Sequence, residues 1–322
     1  MQYLTNSLHL DPDVGFSYGF LGDAYRSMGK LAESKAVYER AIARKVEVPE
    51  IHISRYMVAF LEGDTAEMQR QVAWGTGKPG GEDELLATQS DTEAHMGHFV
   101  RAQSLSEAAF QSAQKNGLHE TAAYWRLNAV LRRTEVGDYA DAKDVVESML
   151  PMTSNSTMLS VAAMALARAG ESNRAQAIVD NMRKKDPVNE LLNQYLVPPV
   201  LAVIELNRDR PQQALELLKP SSGYDFGPYS LPLVYVRGEA YLQLGDGQHA
   251  AAEFQNIIDH RTVVTNDLLG ALAHLQLGRA YVMRNDVGKA KAAYRDFLTL
   301  WKDADPDIPI LKQAKAEYSK LQ

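Results

Sequence analysis

The residues best spaced for metal chemistry are His95 and His98, in the run Glu93-Ala94-His95-Met96-Gly97-His98. On one helical face they would offer zinc two imidazoles. A third ligand is not fixed by the spacing, since Asp91 and Glu93 fall at undetermined angles, and the HExxH arrangement is not met. Surface or groove histidines are the expectation, with no metal. Gly75-Thr76-Gly77-Lys78 has the look of a phosphate loop. That loop needs a glycine five positions before its Gly-Lys pair and Ser or Thr after it. Val72 and Pro79 stand there instead. No Gly-x-Ser-x-Gly elbow anchors a serine hydrolase, and the abundant carboxylates form no recognisable pair. His274 reads as a packed helix residue. Arg183-Lys184-Lys185 reads as a solvated helix end, where cations suit the helix dipole. No catalytic residue and no cofactor are expected.

Composition narrows the class further. The chain has 322 residues, 45% hydrophobic and 23% charged, which suits an ordinary globular protein and excludes bulk disorder. Cysteine is absent, so disulfides and thiolate chemistry are excluded, while cytoplasm and periplasm both stay open. The net charge of −7 offers no basic field for nucleic acid. The most apolar stretch, Val197 to Ile204, is far short of the ~20 residues of a membrane span. It also carries Pro198 and Pro199 and ends at Glu205. Met1-Gln2-Tyr3-Leu4-Thr5-Asn6 lacks the basic and apolar regions of a signal peptide. A soluble chain without membrane contact, monomeric or weakly dimeric, is expected.

Internal repetition decides the elements that must position any site. Leu21-Gly22-Asp23-Ala24-Tyr25, Arg237-Gly238-Glu239-Ala240-Tyr241 and Leu277-Gly278-Arg279-Ala280-Tyr281 align. Each is followed at one distance by a small residue and an aromatic: Ser34 and Tyr38, Ala250 and Phe254, Ala290 and Tyr294. This is the pattern of the tetratricopeptide (TPR) repeat, a helix–turn–helix of about 34 residues. The small residue admits close helix approach, and the aromatics fill the space between the two helices. Gly29, Gly63, Gly137, Gly170 and Gly245 fall at the tight turns, where φ > 0 or an open backbone is needed.

The remaining repeats are degenerate: about Glu50 to Trp74, Glu84 to Gly117, Glu120 to Leu150, Ser156 to Pro187, and Asn189 to Lys219. In the last of these the proline pair should make the first helix start late or bend. Loops are expected at Gly75–Gly81, at Ser221–Pro228 and at Thr262–Asp267. The fold class is therefore all-α, a right-handed TPR superhelix of about eight helix pairs forming one solenoid over 1–322. Residues 1–13 read as the tail of a preceding repeat, so the chain is expected to begin inside a longer array. Repeats fill 14–305. The stripe Ile310, Leu311, Ala314, Tyr318 and Leu321 marks 306–322 as a capping helix, which a solenoid needs over its last apolar face.

Several segments carry a closer resemblance. These are Gln71-Val72-Ala73-Trp74 with Gly77-Lys78-Pro79, Tyr235 to Tyr241, Ala252-Glu253-Phe254-Gln255 with Asp259-His260-Arg261, Gly270 to Leu275, and Leu300-Trp301 through Ile310-Leu311. Together they resemble the C-terminal TPR region of bacterial eukaryotic-like serine/threonine protein kinases. The resemblance implies a sensor or scaffold arm of a signalling protein, periplasmic if a single membrane helix precedes the array. Some relatives carry a winged helix in place of the kinase, so the arm of a one-component transcription regulator is the alternative. Kinase motifs are absent from this sequence: His260-Arg261 is followed by Thr262, and Asp225-Phe226-Gly227 lies in a turn-rich loop with no catalytic loop upstream. A hydrolase or metal enzyme in the groove is the third reading, and nothing anchors it.

Repeat phase then predicts a peptide groove on the concave face. It comprises Phe16, Asp23 and Arg26; Ile53, Met57 and Phe60; His95, His98 and Phe99; Tyr124, Leu127, Asn128 and Leu131; Tyr235, Glu239 and Gln243; and Leu275, Arg279 and Met283. Apolar anchors among a few charges suit an extended or helical peptide, so a protein or peptide is the expected partner. The Lys and Asn clamp by which chaperone-binding TPR domains hold a carboxylate terminus is missing. Gly19 and Asp23, Tyr235 and Glu239, and Leu275 and Arg279 occupy the matching positions.

Overall fold

The computed structural model describes residues 2–227 and 231–322, so Met1 and Pro228 of the readings above lie outside the described residues. Among those described there are helices and turns and no strand. Eight helix pairs follow one another: α2 (Gly15–Ser27) with α3 (Leu31–Ala43), α4 (Pro49–Glu62) with α5 (Thr65–Gly75), α6 (Glu82–His95) with α7 (Phe99–Lys115), and α8 (His119–Glu135) with α9 (Ala142–Met149). Then come α10 (Ser156–Arg168) with α11 (Ser172–Lys185), α12 (Val197–Leu206) with α13 (Pro211–Leu218), α14 (Leu231–Gln243) with α15 (Gly247–Asp259), and α17 (Leu268–Met283) with α18 (Val287–Leu300). A short α1 (Gln2–Leu10) leads, and α16 (Arg261–Val264) is a single turn before the last pair. The closing α19 (Pro309–Ser319) buries Ile310, Leu311 and Ala314 in the C-terminal core, as the apolar stripe predicts.

Each pair forms for local reasons. Gly29, Gly63, Gly137, Gly170 and Gly245 all turn the chain at φ between 74° and 88°, a region closed to most side chains. Within the cleanest pairs, a Cβ added at Gly22 would stand 2.1 Å from the Tyr38 ring, one at Gly238 2.6 Å from Phe254, and one at Gly278 2.8 Å from Tyr294. The helices meet through an absent side chain and a ring. Gly278→Leu should therefore overpack the α17–α18 contact and cost about 1–3 kcal/mol in a thermal or urea melt. A parental melt would show that this contact is loose.

The proline pair acts as expected. Leu192–Leu196 forms a widened π turn, and α12 starts after it with proline in its first turn, where a missing N–H is tolerated. Two loops differ from expectation: Ser221 to Tyr224 of the second belong to a 3-10 helix, Lys219–Tyr224, and the third is part helix too. The segment 262–267 is not wholly irregular: Thr262, Val263 and Val264 belong to α16, and Thr265 then reverses the chain at φ 52°.

That turn belongs to the feature that shapes the molecule. The array curls until its C-terminal arm meets its N-terminal arm. α16 packs on α2, and α17 packs on α6. Arg26 Nη1 donates to Thr262 O at 2.6 Å, Arg261 Nη2 to Leu61 O at 2.9 Å, and Asn266 Nδ2 to Thr88 O at 3.0 Å and Thr92 Oγ1 at 2.9 Å. Farther along, Trp301 Nε1 donates to His95 O at 2.9 Å, Asp305 N to Gly97 O at 3.0 Å, and Ile310 N to Val136 O at 3.2 Å. Trp301 is 1% exposed and sits edge-on to Phe99. The solenoid closes on itself.

Candidate functional site

Closure converts the concave face into a half-open chamber of about 650 Å³. One wall is built by the first helices of successive pairs: Asp91 from α6, Tyr124, Asn128, Leu131, Arg132 and Glu135 from α8, and Thr157, Ser160, Val161 and Met164 from α10. The π turn and α12 add Tyr195, Leu196, Pro199 and Val200. The opposite wall is the closing strap, Val263 to Leu269, with Arg26 at its edge and Phe226, Gly227, Leu231 and Pro232 at another side. These side chains converge because they recur on the inward face of helices that stack side by side. The size and mixed lining match a small-ligand or short-segment site rather than a cleft for a folded domain.

Charge is arranged in and beside this chamber. Arg132 pairs with Asp91 and donates to Ser90 Oγ at 2.9 Å and Ser106 Oγ at 2.7 Å. Arg168 Nε donates to Glu135 Oε1 at 3.0 Å, and its Nη1 lies 2.8 Å from Glu239 Oε2, so one guanidinium serves two carboxylates. Burial pushes Glu135 up to about 7; Arg168 opposes the rise and Glu239 adds to it. Asp267 caps α17, its Oδ1 accepting from Leu269 N at 2.8 Å. Asp267 is an exposed residue that lines the chamber, and the protein around it pushes its carboxyl up to about 6, Asp91 adding to the rise and Arg132 opposing it. Among the described residues no cation lies within 4 Å of it.

The predicted groove residues do not form one continuous surface. Arg26, Tyr124, Asn128 and Leu131 line the chamber. Glu239, Gln243, Arg279 and Met283 line a second hollow of about 650 Å³ between α14, α17 and α19. Its members are committed to neighbours: Arg279 binds Glu317 through Nε and Nη2, both at 2.9 Å, and Gln243 Nε2 donates to Asp209 Oδ1 at 3.0 Å. Leu127, Tyr235 and Leu275 are corrections. They are at most 1% exposed and belong to the core, because at these positions the helices pack against their neighbours. Tyr235 also accepts a 3.1 Å hydrogen bond from Gln276 Nε2 on the next pair.

Asp23 accepts from Tyr38 OH at 3.0 Å within its own pair, and Phe16 is half exposed at the N-terminal end. Ile53, Met57 and Phe60 lie half-buried on α4, with Phe60 edge-on to His95.

The histidine pair is a further correction. α6 ends at His95, Gly97 turns at φ 83°, and His98 and Phe99 begin the second helix of the pair, so the two imidazoles share no face. His95 Nδ1 donates to Asp267 O at 2.9 Å, while His98 pairs with Glu93 at 2.8 Å. Burial lowers His95 to about 4, and His274 adds to that. Among the described residues no group of three potential metal ligands occurs. The glycine-rich loop holds Lys78 folded back over the Trp74 ring, 3.8 Å from its centroid. Asp225 binds Arg237 at 2.6 Å, and Phe226 stacks on His260.

Arg132, Glu135 and Asp267 have no place in the groove predicted from sequence, where Asp91 enters only as a possible metal ligand and 262–267 only as a loop. Only Asp267 left a signal, as an acidic residue directly before an apolar helical run.

The comparisons agree with the cleanest part of the pattern. Tetratricopeptide-repeat models match residues 17–45 and 234–307, spanning α2–α3 and α14–α18, about a third of the chain. Tetratricopeptide repeats are thus present, and the intervening pairs are assigned by their structure. Among solved structures, the TPR domain of P58(IPK) aligns over 94% of this chain and 97% of its own, at 11% identity. The TM-score of 0.28 is too low to carry an argument. No curated protein matches the sequence. No helix among the described residues is long and apolar enough to cross a membrane.

Proposed function

We propose that this chain is a non-catalytic module that binds a protein through a short peptide segment held on its concave face. The observation that carries this reading is the central chamber, where Tyr124, Asn128 and Leu131 of the predicted groove meet an apolar wall from three successive pairs. Its lining offers hydrogen-bonding groups and apolar area together, as peptide recognition requires. The sequence resemblance supports a place as the sensor or scaffold arm of a bacterial serine/threonine kinase. Kinase motifs encoded in the same reading frame would test that placement.

Binding itself is tested by selecting random decapeptides from a display library on the purified chain. Enrichment is expected, and Asn128→Trp, which fills the chamber without removing a packed side chain, should abolish it while helical content stays parental. Equal enrichment by parent and variant would move the site elsewhere.

A further inference from the structure

The chamber has more negative charge than its own cations can match. Asp91 is satisfied by Arg132. Arg168 is shared between Glu135 and Glu239, which leaves one carboxylate in excess behind the wall. Among the described residues no cation lies within 4 Å of Asp267, Arg132 acts on it only from farther off, and its single cap bond to Leu269 N occupies one oxygen. Arg26, the remaining cation at the edge, is held by Asp23 and by Thr262 O. These carboxylates feel one another: Asp91 raises Asp267, and Asp267 raises Glu135. Beside them the wall is apolar, with Leu131, Val161, Met164 and Leu268.

An apolar surface that leads to an unmatched carboxylate fits a side chain with a methylene stem and a cationic end. We infer that the chamber takes a lysine or arginine side chain of the bound peptide, with its charged end at Asp267 and its stem on the apolar wall. This rests on the peptide-binding reading and narrows it to a basic residue beside an apolar one. A fixed carboxylate in a confined site discriminates strongly by charge, because an acidic or neutral side chain leaves the site's own charge unmatched.

The test is the decapeptide selection run in parallel on the parent and on Asp267→Asn. Asparagine keeps an oxygen to accept from Leu269 N, so the cap and the melt should be retained. The parent should enrich peptides with lysine or arginine next to an apolar residue, and the variant should lose that preference. In a synthetic peptide made from the parent's strongest selectant, norleucine for the basic residue should weaken binding by about tenfold or more. That measurement uses the parent protein alone and stands even if the variant misfolds. Selected peptides without a basic residue, an unchanged preference in Asp267→Asn, or a norleucine peptide that binds equally well would each overturn the inference and leave peptide binding intact. No enrichment by the parent at all would overturn the peptide-binding reading, and this inference with it.

Discussion

Arg168→Met is expected to destabilise the fold by about 3–5 kcal/mol at pH 8, the largest single effect anticipated in this chain. Arg168 is 13% exposed and is the shared partner of Glu135 and Glu239, which are 7% and 19% exposed. Methionine preserves the length and much of the apolar stem but leaves two enclosed carboxylates without a cation. Dissociation of Glu135 then becomes harder still, so the folded variant holds that proton more tightly than the unfolded chain, where glutamate titrates at ~4.3.

Protons bound more tightly by the folded state favour folding as pH falls. The parent shows this in milder form. With Glu135 at about 7 in the fold, its contribution is full below its unfolded value and is lost as pH rises through 7. The deficit of Arg168→Met should accordingly narrow between pH 8 and pH 5.5 in urea melts. Adding Glu135→Gln and Glu239→Gln should recover most of the loss. A variant that melts like the parent at both pH values would show that the three groups are hydrated.

The second expected result concerns closure. Gly97→Val should cost about 3 kcal/mol and open the ring without unfolding the pairs. Gly97 sits at φ 83°, where a β-branched residue is strained by about 1–2 kcal/mol. Its new Cβ would also fall 2.4 Å from Ala304 Cβ and 3.0 Å from the Trp301 ring, and relieving that overlap costs about 1–3 kcal/mol. The cheapest relief is to release the C-terminal arm. Small-angle scattering should then report a larger radius of gyration while circular dichroism stays helical. Gly117→Val is the matched control, since Gly117 has φ 74° and nothing within 4 Å of an added Cβ. It should show the strain but not the expansion. Equal scattering from both variants would mean that the Gly97 contact does not hold the arms together.

The sequence by itself determined the helix pairs. Their signals are local and recur: a glycine facing an aromatic about sixteen residues later, as Gly22 faces Tyr38 and Gly278 faces Tyr294, and a glycine at most of the tight turns, Asp209 and Asn285 taking that place in two pairs. Even the proline pair announced the altered start of α12. Each of these rests on contacts inside one repeat, where spacing along the chain fixes spacing in space.

Only the tertiary structure decided the site. Helical phase assigned Leu127, Tyr235 and Leu275 to a groove, but packing against neighbouring helices buries all three in the core. Asp267 meets His95, and Asn266 meets Thr92, across separations of 172 and 174 residues. Such contacts depend on the small rotation between neighbouring pairs summed over the whole array. No single repeat encodes that sum, so neither the closure nor the chamber it encloses has a motif.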